Sequence, residues 1–154
     1  VALVFTRQKL PFIQRPPAAP ASGVARGAYV LSDADGGKPD VVRMSAGSEV
    51  QLVLAAQQNL AKQGIRARLV SMPSHELFAA QDQRYRDQVI LPDLPHIAIE
   101  AAQPMSWYKW VGTGGVVIGI EHFGASAPYE KVYQEFGITS DAVVAAAKQL
   151  VAPR

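Results

Sequence analysis

Arg7 is the side chain best suited to hold an anionic ligand, because it directly follows the apolar run 1–6 (VALVFT) at its C-terminal end. A guanidinium is planar, stays charged and grips phosphate through two parallel hydrogen bonds. Position alone also leaves an ordinary surface arginine open. The three histidines, His75, His96 and His122, stand at no metal-ligand spacing. His75 falls in the first turn of a helix and is expected to be solvated, and His96 opens a strand after Pro95. His122, in EHFG, stands at a strand end, where ligands gather in open α/β sheets. Glu100 closes an apolar strand beside Ala101 and Ala102, where a carboxylate acts as an acid or base, caps a neighbouring loop or meets a partner subunit.

Two glycine turns invite a phosphate reading. Gly47-Ser48 follows a strand and opens a helix, where backbone amides point at an anion, yet one glycine is not a dinucleotide fingerprint. The 112–115 loop (GTGG) lacks the Walker spacing and the Lys-Ser/Thr pair, and it precedes a strand, so it reads as a helix-to-strand turn. Ser45, Ser48, Ser71 and Ser74 lie at strand ends or helix caps without a G-x-S-x-G elbow, which argues against a serine hydrolase. The absence of cysteine excludes disulfides, thiolate metal sites and a cysteine nucleophile, and fits a reducing cytoplasm. Trp107, Tyr108 and Trp110 form the densest aromatic cluster, which suits a core or an interface equally.

These residues must be positioned by elements that the apolar pattern defines. The run 1–6 suits a buried strand. Pro11, Pro16, Pro17 and Pro20 follow; proline fixes φ and removes a donor, so this stretch reads as an extended linker. A strand alone before a linker has no partner here, and the chain opens without Met. Both features lead us to expect that residues 1–9 end a preceding domain, 10–25 form a Pro/Ala-rich linker and 26–154 form the main domain. Within it, 27–31 (GAYVL) and 40–45 (DVVRMS) flank the turn-rich 33–39 (DADGGKP) and are expected to pair as a hairpin. Ser48 with Gln51 has the capping-box signature, and Val50, Val53, Leu54, Leu60 and Ala61 recur at helical spacing. Gly64 suits a left-handed C-cap.

Next comes a strand at 66–72 (RARLVSM), followed by a helix capped by Ser74 with Leu77, Phe78, Gln81, Tyr85 and Val89 on one side. A strand at 96–101, a short helix at 107–111 and a strand at 116–120 follow. Pro128 suits the first turn of a helix carrying Tyr129, Val132, Tyr133 and Phe136, and Thr139 caps a last helix with Val143, Val144, Ala147, Leu150 and Val151 on its buried stripe. Strand–helix alternation of this length predicts an α/β fold: a three-layer α/β/α domain whose mixed sheet is mostly parallel, with 27–31 as an antiparallel strand beside or within it.

Of 154 residues, 49% are apolar and 18% charged, a globular composition, and the formal net charge is +2. The arginines are scattered and form no basic run, against nucleic-acid binding. No apolar run approaches the ~20 residues that span a bilayer, and the N-terminus is not patterned as a signal peptide.

Taken together, VFTRQKLP, AGSEVQL, VSMPS, YRDQVILP, EAAQPMSWYKWVG, EHFGASAPYEKVYQEFGIT and the closing D-x-V-x-x-A-A-K resemble the end of a transketolase chain, in order and over nearly the whole sequence. The resemblance implies a transketolase C-terminal domain, led by the last strand of the pyrimidine-binding domain that precedes it. Transketolases move a two-carbon ketol unit from a ketose phosphate to an aldose phosphate, a step of the pentose phosphate pathway. They use thiamine diphosphate and a divalent cation, Mg or Ca, held between the first and second domains across a homodimer interface. The third domain is taken as structural, with a regulatory role often suggested. The family's S/T-R-Q motif matches Thr6-Arg7-Gln8, which implies that Arg7 binds substrate phosphate. The catalytic, cofactor and metal residues belong to the other two domains, so none is expected here. The piece is therefore expected to be inactive by itself, cytoplasmic as part of its parent, and bound to neither nucleic acid nor membrane. The alternative is a module that senses a phosphate or nucleotide at Ser48 or near His122. The linker is richer in Pro and Ala than in many relatives.

Overall fold

Residues 2–3, 5–17 and 19–151 are described by the structure, a computed structural model. Its centre is set by two strands with no polar face. β2 (Val41–Ser45) and β4 (His96–Ile99) bury every residue, the pattern of parallel strands covered on both sides. They run parallel, with Val42 opposite His96 and Ser45 opposite Ile99. β3 (Ala67–Ser71) lies parallel on the other side of β2, and β5 (Val116–Ile118) lies parallel beyond β4. β1 (Tyr29–Ser32) pairs antiparallel with β3, giving the order β1-β3-β2-β4-β5.

Helices cover both faces, as the three-layer expectation requires. On one face α1 (Val50–Lys62) and α6 (Ser140–Val151) set Val53, Leu60, Val143 and Ala147 in one core with Val41, Leu69, Ile97 and Ile99. On the other, α2 (His75–Ala79), α3 (Gln83–Ile90) and α4 (Tyr108–Val111), with the 3-10 turn Pro104–Trp107 before it, set Phe78, Val89, Trp107 and Trp110 in a second core with Val42, Met44, Val70 and Ala98. The last connection carries α5 (Tyr129–Glu135). Gly64, at φ 74°, closes α1 as its left-handed cap. The Thr139 side chain accepts from the Ala142 N–H at 3.1 Å and opens α6.

Four expectations are corrected. The hairpin does not form: β1 pairs with β3, because β2 has β3 on one side and β4 on the other. The helix expected from Ser74 onward is two, since Asp82 starts a new one by accepting from the Tyr85 N–H at 2.9 Å. The capping box at Ser48 is absent. A 3-10 turn, Gly47–Glu49, leads into α1, and the Ser48 hydroxyl turns to Glu49 instead. Pro128 stands just before the first turn of α5 rather than in it.

Of the run 1–6, Val1 and Val4 lie outside the described residues. Ala2, Leu3, Phe5 and Thr6 are exposed and belong to no strand. The Pro/Ala stretch is not extended throughout: Ala21–Arg26 is a 3-10 helix, and Ala19 is buried in the first core at 2% exposure. No helix among the described residues is long and apolar enough to cross a membrane.

Candidate functional site

In open α/β sheets, ligands sit outside the carboxyl ends of the strands, where neighbouring connections depart in opposite directions. Here that place is the gap between β2 and β4, since the chain leaves β2 toward β3 on one side and later returns to β4 on the other. The Ser45 hydroxyl crosses this edge to the Ile99 carbonyl at 2.9 Å. Glu49, only 5% exposed, fills the space beyond. Its Oε2 accepts from the Ala101 N–H at 3.2 Å, just past β4. Its Oε1 accepts from the Ser48 hydroxyl at 2.5 Å and from the Tyr133 hydroxyl at 2.6 Å. The carboxylate thus joins β4, the start of α1 and α5.

The chain of bonds runs on to the leading segment. Gln8 Nε2 donates to the Tyr133 hydroxyl at 3.2 Å, and the Gln8 N–H donates to Thr6 Oγ1 at 3.1 Å, folding 6–8 into a Ser/Thr turn. Arg7 stands at the exposed crest of that turn. Burial raises the pKa of Tyr133, and its bond to Glu49 raises it further, so the phenol keeps its proton at neutral pH.

The remaining candidates are engaged elsewhere. His96 is buried and donates from Nε2 to the Ile90 carbonyl at 2.7 Å, which holds the end of α3 to the start of β4. His75 is half-buried rather than solvated, its ring edge-on to Trp107 at 4.6 Å. His122 is exposed, with Nδ1 on the Phe123 carbonyl at 2.8 Å and its ring edge-on to Phe136 at 4.4 Å. Glu100 accepts from Trp107 Nε1 and so pins the 3-10 turn Pro104–Trp107, a structural task. Trp107 and Trp110 belong to the second core, whereas Tyr108 is exposed. The 112–115 loop borders a groove of about 580 Å³ with Lys109 among its walls. It leads into the start of β5, beside the start of β4, at the end of the sheet opposite the ligand-favoured edge. Among the described residues no three His, Asp or Glu side chains gather to hold a metal ion.

Glu49 was not picked from the sequence, Tyr133 was read only as a helix-face residue, and Gln8 only as part of the Thr6-Arg7-Gln8 motif. The available signal was Glu49 beside Gly47-Ser48 at a strand-to-helix turn. Its partner Tyr133 lies 84 positions further on.

Residues 27–139 match the Transketolase-like TK C-terminal domain. The chain is 46% identical over 154 residues to the transketolase of Mycobacterium tuberculosis, covering 97% of this chain and 22% of that one. Its fold superposes on the transketolase from Leishmania mexicana with a TM-score of 0.79 at 36% identity, over 88% of this chain and 19% of that one. A transketolase mutant from Pichia stipitis gives 0.83 at 29% identity, over 95% and 20%. The chain belongs to the transketolase family, as its C-terminal domain. It spans about a fifth of the length of these relatives.

Proposed function

We propose that this domain serves a transketolase that transfers a two-carbon ketol unit between sugar phosphates, that its own contribution is structural, and that Arg7, in the segment leading into it, binds substrate phosphate. The observation that carries the reading is the Thr6–Gln8 turn, which lifts one guanidinium into solvent beside a domain whose other candidate side chains are engaged in packing. Thiamine diphosphate would supply the carbanion chemistry, with a divalent cation, Mg or Ca, to hold its phosphates. We assign both groups to the N-terminal and pyrimidine-binding domains of a cytoplasmic homodimer; the described residues gather no acidic cluster for the cation. Leu3, Phe5, Leu10 and Phe12 support such a neighbour, being apolar side chains of the leading segment that this chain leaves exposed. A phosphate sensor at Ser48 is disfavoured because an anion there would meet the Glu49 carboxylate.

The test is a ketol-transfer assay on the isolated chain and on the intact parent with Arg7→Ala. The isolated chain is expected to show no turnover. In the parent, the lost charge-assisted bond is worth roughly 1.5–3 kcal/mol, so kcat/KM should fall roughly 10- to 150-fold for phosphorylated substrates. Unphosphorylated analogues should be nearly unaffected. Turnover by the isolated chain, or equal losses on both substrate types, would overturn the reading.

A further inference from the structure

Hydrogen-bond direction in the network around Glu49 is fixed from one end. A carboxylate only accepts, so the Tyr133 hydroxyl must send its proton to Glu49 at 2.6 Å. The phenol oxygen then faces Gln8 with its lone pair, and the amide must present Nε2 to it, at 3.2 Å. Glu49 itself cannot swing away, being buried and held by the Ala101 N–H and the Ser48 hydroxyl. A rigid chain of bonds therefore runs from the carboxyl edge of the sheet to the residue next to Arg7. The second bond of Gln8, from its N–H to Thr6 Oγ1, closes the turn on the other side of the arginine. Arg7 is held by its neighbours on both sides while its own side chain is left available.

We propose that Glu49 and Tyr133 are positioning residues for Arg7: they clamp Gln8 so that the adjacent guanidinium is aimed at the substrate's phosphate. The proposal rests on the reading of Arg7 as a phosphate ligand. A long arginine side chain on an untethered segment would give up much of its freedom on binding, and a pre-set backbone lowers that cost. The C-terminal domain thereby takes part in substrate selection without touching substrate. The clamp is also separable from packing. Removing the Tyr133 hydroxyl leaves its ring, which meets Tyr129 edge-on at 5.6 Å, and takes away its polar contacts with Glu49 and Gln8.

The experiment uses the full-length parent enzyme carrying Tyr133→Phe, Arg7→Ala and both together, each assayed with a phosphorylated ketose and with its unphosphorylated counterpart. Tyr133→Phe should raise KM for the phosphorylated ketose by about five-fold, the loss of roughly one neutral hydrogen bond's worth of positioning. kcat, and KM for the unphosphorylated ketose, should stay within about two-fold. Added to Arg7→Ala, Tyr133→Phe should have no further effect. Gln8→Met cuts the clamp at its other end and carries the same expectation should Tyr133→Phe fold poorly. If Arg7→Ala discriminates between the two ketoses but Tyr133→Phe and Gln8→Met do not, the clamp is wrong and the role of Arg7 stands. If Arg7→Ala does not discriminate, both fall. Equal losses on the two ketoses, or additivity in the double variant, would reduce Tyr133 to a stabilising residue and end the proposal.

Discussion

Arg43 is a cation in the middle strand of the sheet, fully buried, and among the described residues it has no carboxylate partner. It is held by oxygens that carry only partial charge: Nη1 donates to the Val53 carbonyl at 2.8 Å, and Nη2 to the Gln57 side chain and to the Ala67 carbonyl at 3.4 Å. Burial pulls its pKa down to about 9, so it remains charged at neutral pH. The side chain ties α1 to β2 and β3 from inside, and its removal would leave a large void. Arg43→Ala is expected to cost about 3 kcal/mol or more, and Arg43→Met, which fills most of the space with no charge to desolvate, far less. Urea unfolding of the isolated chain measures both. Arg43 differs in kind from Arg7, the one arginine assigned a ligand, and burial is what separates them. Sequence lists both simply as arginines next to apolar runs.

Elements meet closely where Gly27, at φ +83°, enters β1. Its carbonyl accepts from the Ser74 N–H at 3.0 Å, and a Cβ there would lie 2.2 Å from the Phe78 amide nitrogen and 2.5 Å from the Ser74 carbonyl oxygen. Gly27→Ala is therefore expected to lose at least about 3 kcal/mol, backbone strain and a main-chain clash together. Gly36→Ala, equally left-handed at φ +75° but with open space around it, should lose only about 1 kcal/mol. The difference in urea midpoint between the two variants measures the close approach of β1 to α2. Such approaches mark the limit of what the sequence discloses. α1 and α6 were legible from their apolar spacing, β2 from its short strand-like run and β4 from its alternation, because those patterns are local. The pairing of β1 was not, because the turn-rich 33–39 announces a reversal without saying which strand lies beside it. The break at Asp82 was hidden because Leu77, Phe78, Tyr85 and Val89 keep one helical face across it. Glu49 was hidden for a similar reason: an acid in a helix's first turn is an ordinary dipole partner, and only the fold brings Tyr133 and Gln8 to it.

At the scale of the whole molecule, two ion pairs among the described residues hold the end of the sheet where β2 and β3 begin. Asp40 meets Arg66 at 2.7 Å, joining the starts of β2 and β3, and Asp33 meets Arg68 at 2.7 Å, joining the end of β1 to β3. Arg68 also donates to the Gln88 carbonyl at 2.6 Å, which brings the last turn of α3 to the sheet. The hydrogen bond from Arg66 holds Asp40 below the usual carboxylate pKa of 3.8. For Asp33, burial pushes the other way but is outweighed by the bonds from Arg68 and the Ala34 N–H. Folded pKa values below the unfolded ones stabilise the fold above pH about 4, and that stability is lost as pH falls through the folded values. Acid titration of the isolated chain should show a loss of stability below pH about 4 that shrinks in Asp33→Asn with Asp40→Asn; an unchanged acid limb would show that neither pair matters.

The buried methyl of Ala19 bears on where this domain can be trimmed. A piece trimmed to begin at Gly27, where the family match starts, would lack the plug that Ala19 sets into the α1–α6 side, along with the half-buried Ile13. Such a piece would show bare hydrocarbon to water just where the longer chain is sealed. The proline-studded stretch is thus partly cladding for the body it leads into.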